Sequence, residues 1–147
     1  MKYFQPYELV DKLTYSQKGY DSLALFTPQI LLALDNVREF FGKPITVNNW
    51  HEGGPFQWRG WRTEAEADKL LGLPPGTHPG HEQHSLGNAF DFDIQGLTAE
   101  QVRTMIVAYQ DRPLLSGITR LEANTSWVHM DCKVLVTPLK RIHVFIA

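Results

Sequence analysis

The sequence predicts an α+β domain in which N-terminal helices pack on a central, mostly antiparallel sheet. Two observations carry this. Helix signals concentrate in the first half of the chain, while strand-like alternation dominates the last third. The length of 147 residues fits one domain, residues 1–147, large enough to bury a core of its own.

The elements follow in order. Residues 7–16 read as a short amphipathic helix. Thr27-Pro28 opens the clearest one, since Thr27 can cap and Pro28 suits the first helical position. Ile30, Leu31, Leu34, Val37, Phe40 and Phe41 then recur at helical spacing until Gly42-Lys43-Pro44 stops the run. Residues 45–50 read as a strand. Residues 51–62 are irregular, with three glycines and a proline among three aromatics and two arginines. A helix over residues 63–71 and a Pro/Gly loop over 72–80 follow. Residues 89–94 are a strand. Thr98-Ala99-Glu100-Gln101 is a capping box that opens a helix running to about Tyr109. Residues 117–122, 127–136 and 141–146 complete the chain as strands.

Composition excludes several function classes. Hydrophobic residues make up 43% and charged residues 20%, and the formal net charge is −2, so nucleic acid is not an expected partner. The single cysteine, Cys132, permits no intrachain disulfide and no cysteine-based zinc site. No apolar run is long enough to span a bilayer, and membrane insertion is not expected. The first residues lack a secretory pattern, so the expected site of synthesis is the cytoplasm, with any action at the cell wall requiring a separate export or lysis route.

The most informative segment is His84-Ser-Leu-Gly-Asn-Ala-Phe-Asp91. Strand alternation puts Phe90, Phe92 and Ile94 on a core face, with Ala89, Asp91 and Asp93 opposite. Gly87 allows a sharp turn that could bring His84 over Asp91. In Trp127-Val-His-Met-Asp-Cys-Lys133 the same alternation puts Val128, Met130, Cys132 and Val134 in the core, and Trp127, His129, Asp131 and Lys133 on the other face. Two nitrogen donors and a carboxylate suit a tetrahedral Zn2+ with its fourth position open.

His84-x-x-Gly87-x-Ala89-x-Asp91 followed by Trp127-x-His129-x-Asp131 resembles the zinc D-alanyl-D-alanine carboxypeptidase family, over about residues 45–133. That family includes D-alanyl-D-alanine dipeptidases and phage endolysins, with the hedgehog signalling domain as a fold relative. The resemblance implies that His84, Asp91 and His129 are the metal ligands, that the fold is hedgehog-like, and that the substrate is a peptidoglycan peptide. The chain departs from the pattern at Glu82, where a serine is usual, and at Ser126, where the dipeptidases carry a glutamate three residues before the last ligand.

The general base is therefore open between two residues. Glu122 ends a strand whose hairpin with 127 onward would set it beside the start of the ligand strand. Asp131 shares the face of His129, and its other reading is that of a carboxylate orienting that ligand. Gly60-Trp61-Arg62 is similar to a Gly-aromatic-Arg turn of related enzymes, which implies that Arg62, or less well Arg59, clamps a substrate carboxylate; the other reading is an arginine stacked on Trp58 or Trp61. His51, His78, His81 and His143 read as structural or solvated, although His81 could border the cleft, and Cys132 as buried.

The expected function is a monomeric zinc peptidase of the bacterial cell wall, a D-Ala-type carboxypeptidase or an endopeptidase. Its compact form is similar to that of phage lysis enzymes and phage-encoded relatives, and a host cytoplasmic peptidase is equally compatible with the sequence. The alternative is a non-catalytic, zinc-stabilised binding or virion-associated module of the same fold, with residues 50–61 as its interaction surface.

Overall fold

The computed structural model describes residues 1–77, 82–135 and 141–146. A 3-10 turn at Pro6–Glu8 leads into α1 (Lys12–Lys18), whose N-terminus is capped by the Asp11 side chain accepting from the Thr14 amide. A second 3-10 stretch, Gly19–Leu25, connects to α2 (Pro28–Phe41). Thr27 caps α2 as expected, and Gly42 ends it in the left-handed region at φ 61°. The remaining elements are β1 (Ile45–Thr46), α3 (Glu64–Leu70), β2 (Ala89–Ile94), α4 (Ala99–Ala108), β3 (Arg120–Glu122), β4 (Val128–Asp131) and β5 (His143–Phe145).

The five strands form one sheet in the order β1-β2-β4-β3-β5. All pairs are antiparallel except β3 with β5, which run parallel. A mixed helix-and-sheet fold with a mostly antiparallel sheet is thus what the chain adopts. One face of the sheet is core: Phe90 and Phe92 from β2, Leu121 from β3, and Val128 and Met130 from β4 are fully buried. α2 and α4 pack on this face, and Phe26 stacks on Phe90 at 5.0 Å. Truncating either β2 phenylalanine to alanine would cost about 3–5 kcal/mol.

Several elements are shorter than the sequence suggests. The first helix covers Lys12–Lys18 because Pro6–Glu8 forms its own 3-10 turn. The strand expected over 45–50 ends at Thr46, because the backbone turns toward the N-terminal segment: the Asn48 amide donates to the Glu8 carbonyl and its side chain to the Val10 carbonyl. Gly117, Ile118 and Thr119 precede β3 rather than belonging to it, and β4 ends at Asp131. Val134 is consequently 87% exposed instead of lying in the core. The expected strand over 127–136 reaches residue 136, which lies outside the described residues, as do His78 and His81.

Candidate metal centre

The polar face of the sheet gathers the chemistry. Asp91 on β2 is the direct cross-strand partner of His129 on β4, and His129 is in turn the partner of Glu122 on β3. Two candidate metal ligands and a carboxylate thus form one row across three adjacent strands. The β3–β4 hairpin puts Glu122 beside its ligand strand, as the sequence suggested. The link is held by Arg103 of α4, which donates to the Thr125 and Trp127 carbonyls and to the Thr125 hydroxyl.

His84 comes from the turn before β2. Gly87, at φ 63°, is essential to that turn: a Cβ there would stand 1.8 Å from the Leu25 carbonyl oxygen. The turn lays the His84 ring against β2, with Nδ1 2.8 Å from the Gly60 carbonyl. A carbonyl oxygen only accepts, so Nδ1 carries the proton and Nε2 is left as the donor atom. Gly60 is itself placed by the N-terminal segment, since the next amide, Trp61, donates to the Leu9 carbonyl and a Cβ on Gly60 would meet that oxygen at 1.8 Å.

The donor atoms converge. His84 Nε2 lies 3.4 Å from Asp91 Oδ2 and 3.3 Å from His129 Nδ1, and His129 Nδ1 lies 2.8 Å from Asp91 Oδ1. All fall within 4.8 Å of one another, and all three residues are buried. This is the one such group of three found among the described residues. His129 Nε2 faces Asp131 Oδ2 at 3.2 Å, so each imidazole has an acceptor at its outer nitrogen and turns the other toward the shared point. Two imidazole nitrogens, each oriented from behind, and one carboxylate are the donor chemistry that zinc takes.

Electrostatics agree with the geometry. Burial works against the Asp91 carboxylate, yet His84 and His129 beside it hold its pKa far below the usual carboxylate range. Burial also opposes protonation of His129, but the hydrogen bonds to Asp131 and Asp91 prevail and push it up to about 9 in the metal-free chain. Asp131 is lowered against its burial by His129, Arg120 and the Lys133 amide. Such a pair of carboxylates around one imidazole is a strongly cation-seeking environment.

A cleft of about 510 Å³ opens over Asp91 and His129, lined also by Arg62, Glu82, Arg120, Glu122, Trp127 and Phe145, with Leu70 and Leu71 at the end of α3 at one wall. Of the two candidate bases, Glu122 lines this cleft, whereas Asp131 is fully buried and bound by Arg120. Asp131 therefore serves as the acceptor that orients His129 and has no open access to a water molecule. Arg62 also lines the cleft, its Nη2 donating to Glu82 at 2.9 Å and its Nη1 to the Trp58 carbonyl. Glu82 in addition accepts from the Ser85 amide and hydroxyl, so it anchors the turn that carries His84. Arg59 is not brought to the cleft: its guanidinium pairs with Asp93 at 2.5 Å and lies over the Phe56 ring.

His51 belongs to an aromatic group with Tyr7 and Trp50, and His143 stacks on Phe145 at the sheet edge. Cys132 is buried, its thiol donating to the Gly117 carbonyl and pushed up to about 12 by burial and by Asp131. Arg120 and Arg103 are the site-supporting residues that sequence reasoning passed over. The hairpin register held a signal for Arg120, because a pairing that sets Glu122 opposite His129 also sets Arg120 opposite Asp131.

No family model matches the chain, and no curated protein or solved structure matches it. No helix among the described residues is long and apolar enough to cross a membrane.

Proposed function

We propose that the chain is a zinc peptidase acting on the peptides of bacterial peptidoglycan, a D-Ala-type carboxypeptidase or endopeptidase with the hedgehog-like fold that its motifs suggest. The observation that carries this reading is the convergence of His84 Nε2, Asp91 and His129 Nδ1 beside an open cleft that Asp91 and His129 line, with Glu122 in the neighbouring strand position.

When bound there, zinc supplies a Lewis acid that polarises the scissile carbonyl and acidifies water. Glu122 takes the proton of the attacking water and hands it to the departing amine, the work of a general base that becomes a general acid. Asp131 keeps His129 in its donor orientation through Nε2, as the Gly60 carbonyl keeps His84 through Nδ1. Arg62 stands at the cleft wall with a planar set of donors suited to a substrate carboxylate. Leu70, Leu71 and Trp127 provide apolar surface for the side chains flanking the bond.

The test uses zinc-loaded protein and purified peptidoglycan. Release of new amine ends, abolished by Glu122→Gln while zinc content is kept, is the expected result. A protein that holds zinc stoichiometrically but releases nothing would sink the peptidase reading and leave a zinc-stabilised binding module.

A further inference from the structure

Arg120 belongs neither to the ligand set nor to the proton transfer, yet it lines the same cleft. On β3 it stands two residues before Glu122 and therefore on the same face, with Asp131 as its direct cross-strand partner. Its Nε donates to both carboxylate oxygens of Asp131, at 2.9 and 3.0 Å, and its Nη2 donates to Oδ2 at 2.5 Å. The Lys133 amide adds a fourth contact to Oδ1 at 3.0 Å. From the far side, the guanidinium carbon lies 4.4 Å from the ring centre of Phe145 on β5, and that ring meets His129 edge-on at 6.0 Å.

An imidazole can rotate by half a turn about its bond to Cβ, which exchanges Nδ1 with a carbon atom. In His129 that flip would aim a C–H at His84 and Asp91 and remove the third donor. Two acceptors distinguish the ring orientations, Asp91 Oδ1 opposite Nδ1 and Asp131 Oδ2 opposite Nε2, and only the second stands clear of the point where a metal would sit. A fully buried carboxylate keeps one plane only if its own partners fix it, and the planar arginine fork does so with two nitrogens where an ammonium offers a single point.

We propose that Arg120 is a positioning residue of the metal centre: by clamping the Asp131 carboxylate against His129 Nε2, it fixes the ring orientation that turns Nδ1 toward His84 and Asp91. β5 takes part through Phe145, which covers the guanidinium. The use of Nδ1 as a metal donor rests on the zinc reading given above. The orientation of the ring does not, since it belongs to the metal-free chain as well.

Arg120→Lys and Arg120→Gln in the full chain test this, with zinc affinity measured by chelator competition and the His129 Nε2–H proton followed by NMR with and without zinc. Wild type should show one hydrogen-bonded Nε2–H signal protected from solvent exchange. Both variants should weaken zinc binding about 10- to 100-fold and exchange that proton faster, with lysine the milder of the two. Asp131 loses its cation in Arg120→Gln, so if that chain does not fold, Arg120→Lys alone decides. A folded Arg120→Lys with wild-type zinc affinity and an unchanged Nε2–H signal overturns the proposal, because a purely structural ion pair would alter only the melting temperature. A wild type that takes no zinc would end the metal reading while the proton comparison still decides the part of Arg120. Loss of the peptidase reading shows separately, as absent hydrolysis by a protein that binds zinc.

Discussion

If the centre holds zinc as proposed, protons and zinc compete for His129, and the strength of that competition follows from the two carboxylates around the ring. With the pKa pushed up to about 9, roughly one molecule in a hundred has His129 free of its extra proton at pH 7. Bound zinc would have to displace that proton, at a cost of about 3 kcal/mol of binding free energy at neutral pH. The apparent affinity should therefore rise about tenfold per pH unit between 7 and 8 and level off above about 9. Calorimetry in buffers of different ionisation enthalpy should show about one proton released per zinc at pH 7.5. The same shift sets the stability of the metal-free chain. A folded pKa raised above the ordinary 6.5 stabilises fully below pH 6.5 and is lost as pH climbs through 9, a loss of about 3 kcal/mol at most. The chelator-treated protein should therefore melt at progressively lower temperature from pH 6.5 to 9, and the zinc-loaded protein should lack this trend. Proton-free zinc binding, together with a flat melting profile over that range, would refute the reasoning.

Other outcomes follow from single side chains. Glu122→Gln should lower peptide hydrolysis about 10²- to 10⁴-fold while leaving zinc affinity within a few fold, as measured by turnover and chelator competition. Gly87→Ala combines a left-handed φ with a Cβ 1.8 Å from a backbone oxygen, so urea denaturation should show a loss of about 3 kcal/mol or more. Arg103→Met strips the hairpin link of three donated hydrogen bonds and should cost about 2–4 kcal/mol, with faster amide exchange at residues 123–127. On the acid side, Asp91 and Asp131 both have lowered pKa values, so the stability they add is present above about pH 4 and disappears as pH falls below it; acid titration of the fold by circular dichroism tests this.

Much of the centre was legible because strands write their faces in alternate residues. Phe90 and Phe92 against Asp91, and Val128 and Met130 against His129 and Asp131, mark both the core face and the polar face in the sequence itself. The capping residues Thr27 and Thr98 marked helix starts that the structure keeps. Strand lengths were less legible, because they depend on distant partners: β1 ends where Asn48 finds Glu8 and Val10, about forty residues back along the chain. Arg62 fitted the Gly-aromatic-Arg turn better than Arg59, although each lies among aromatics and glycine. Their fates were decided by acidic neighbours on other elements, Asp93 for one and Glu82 for the other. The choice between Glu122 and Asp131 likewise hung on the location of a cation, and Arg120 lies eleven residues from the carboxylate it binds.

The row formed by Asp91, His129 and Glu122 gives the site an unusual sensitivity to chain length. The three side chains are spaced by the backbone ladder, whose strands stand about 4.8 Å apart whatever residues they carry. Substitutions in the 123–127 link can therefore leave that spacing untouched. Losing or gaining one residue there, with the strands re-paired one step over, would point Leu121 at the ligands and bury Arg120 and Glu122 among the phenylalanines. The hairpin works as a ruler, and drift in this protein should be written in the letters of that link and not in their number.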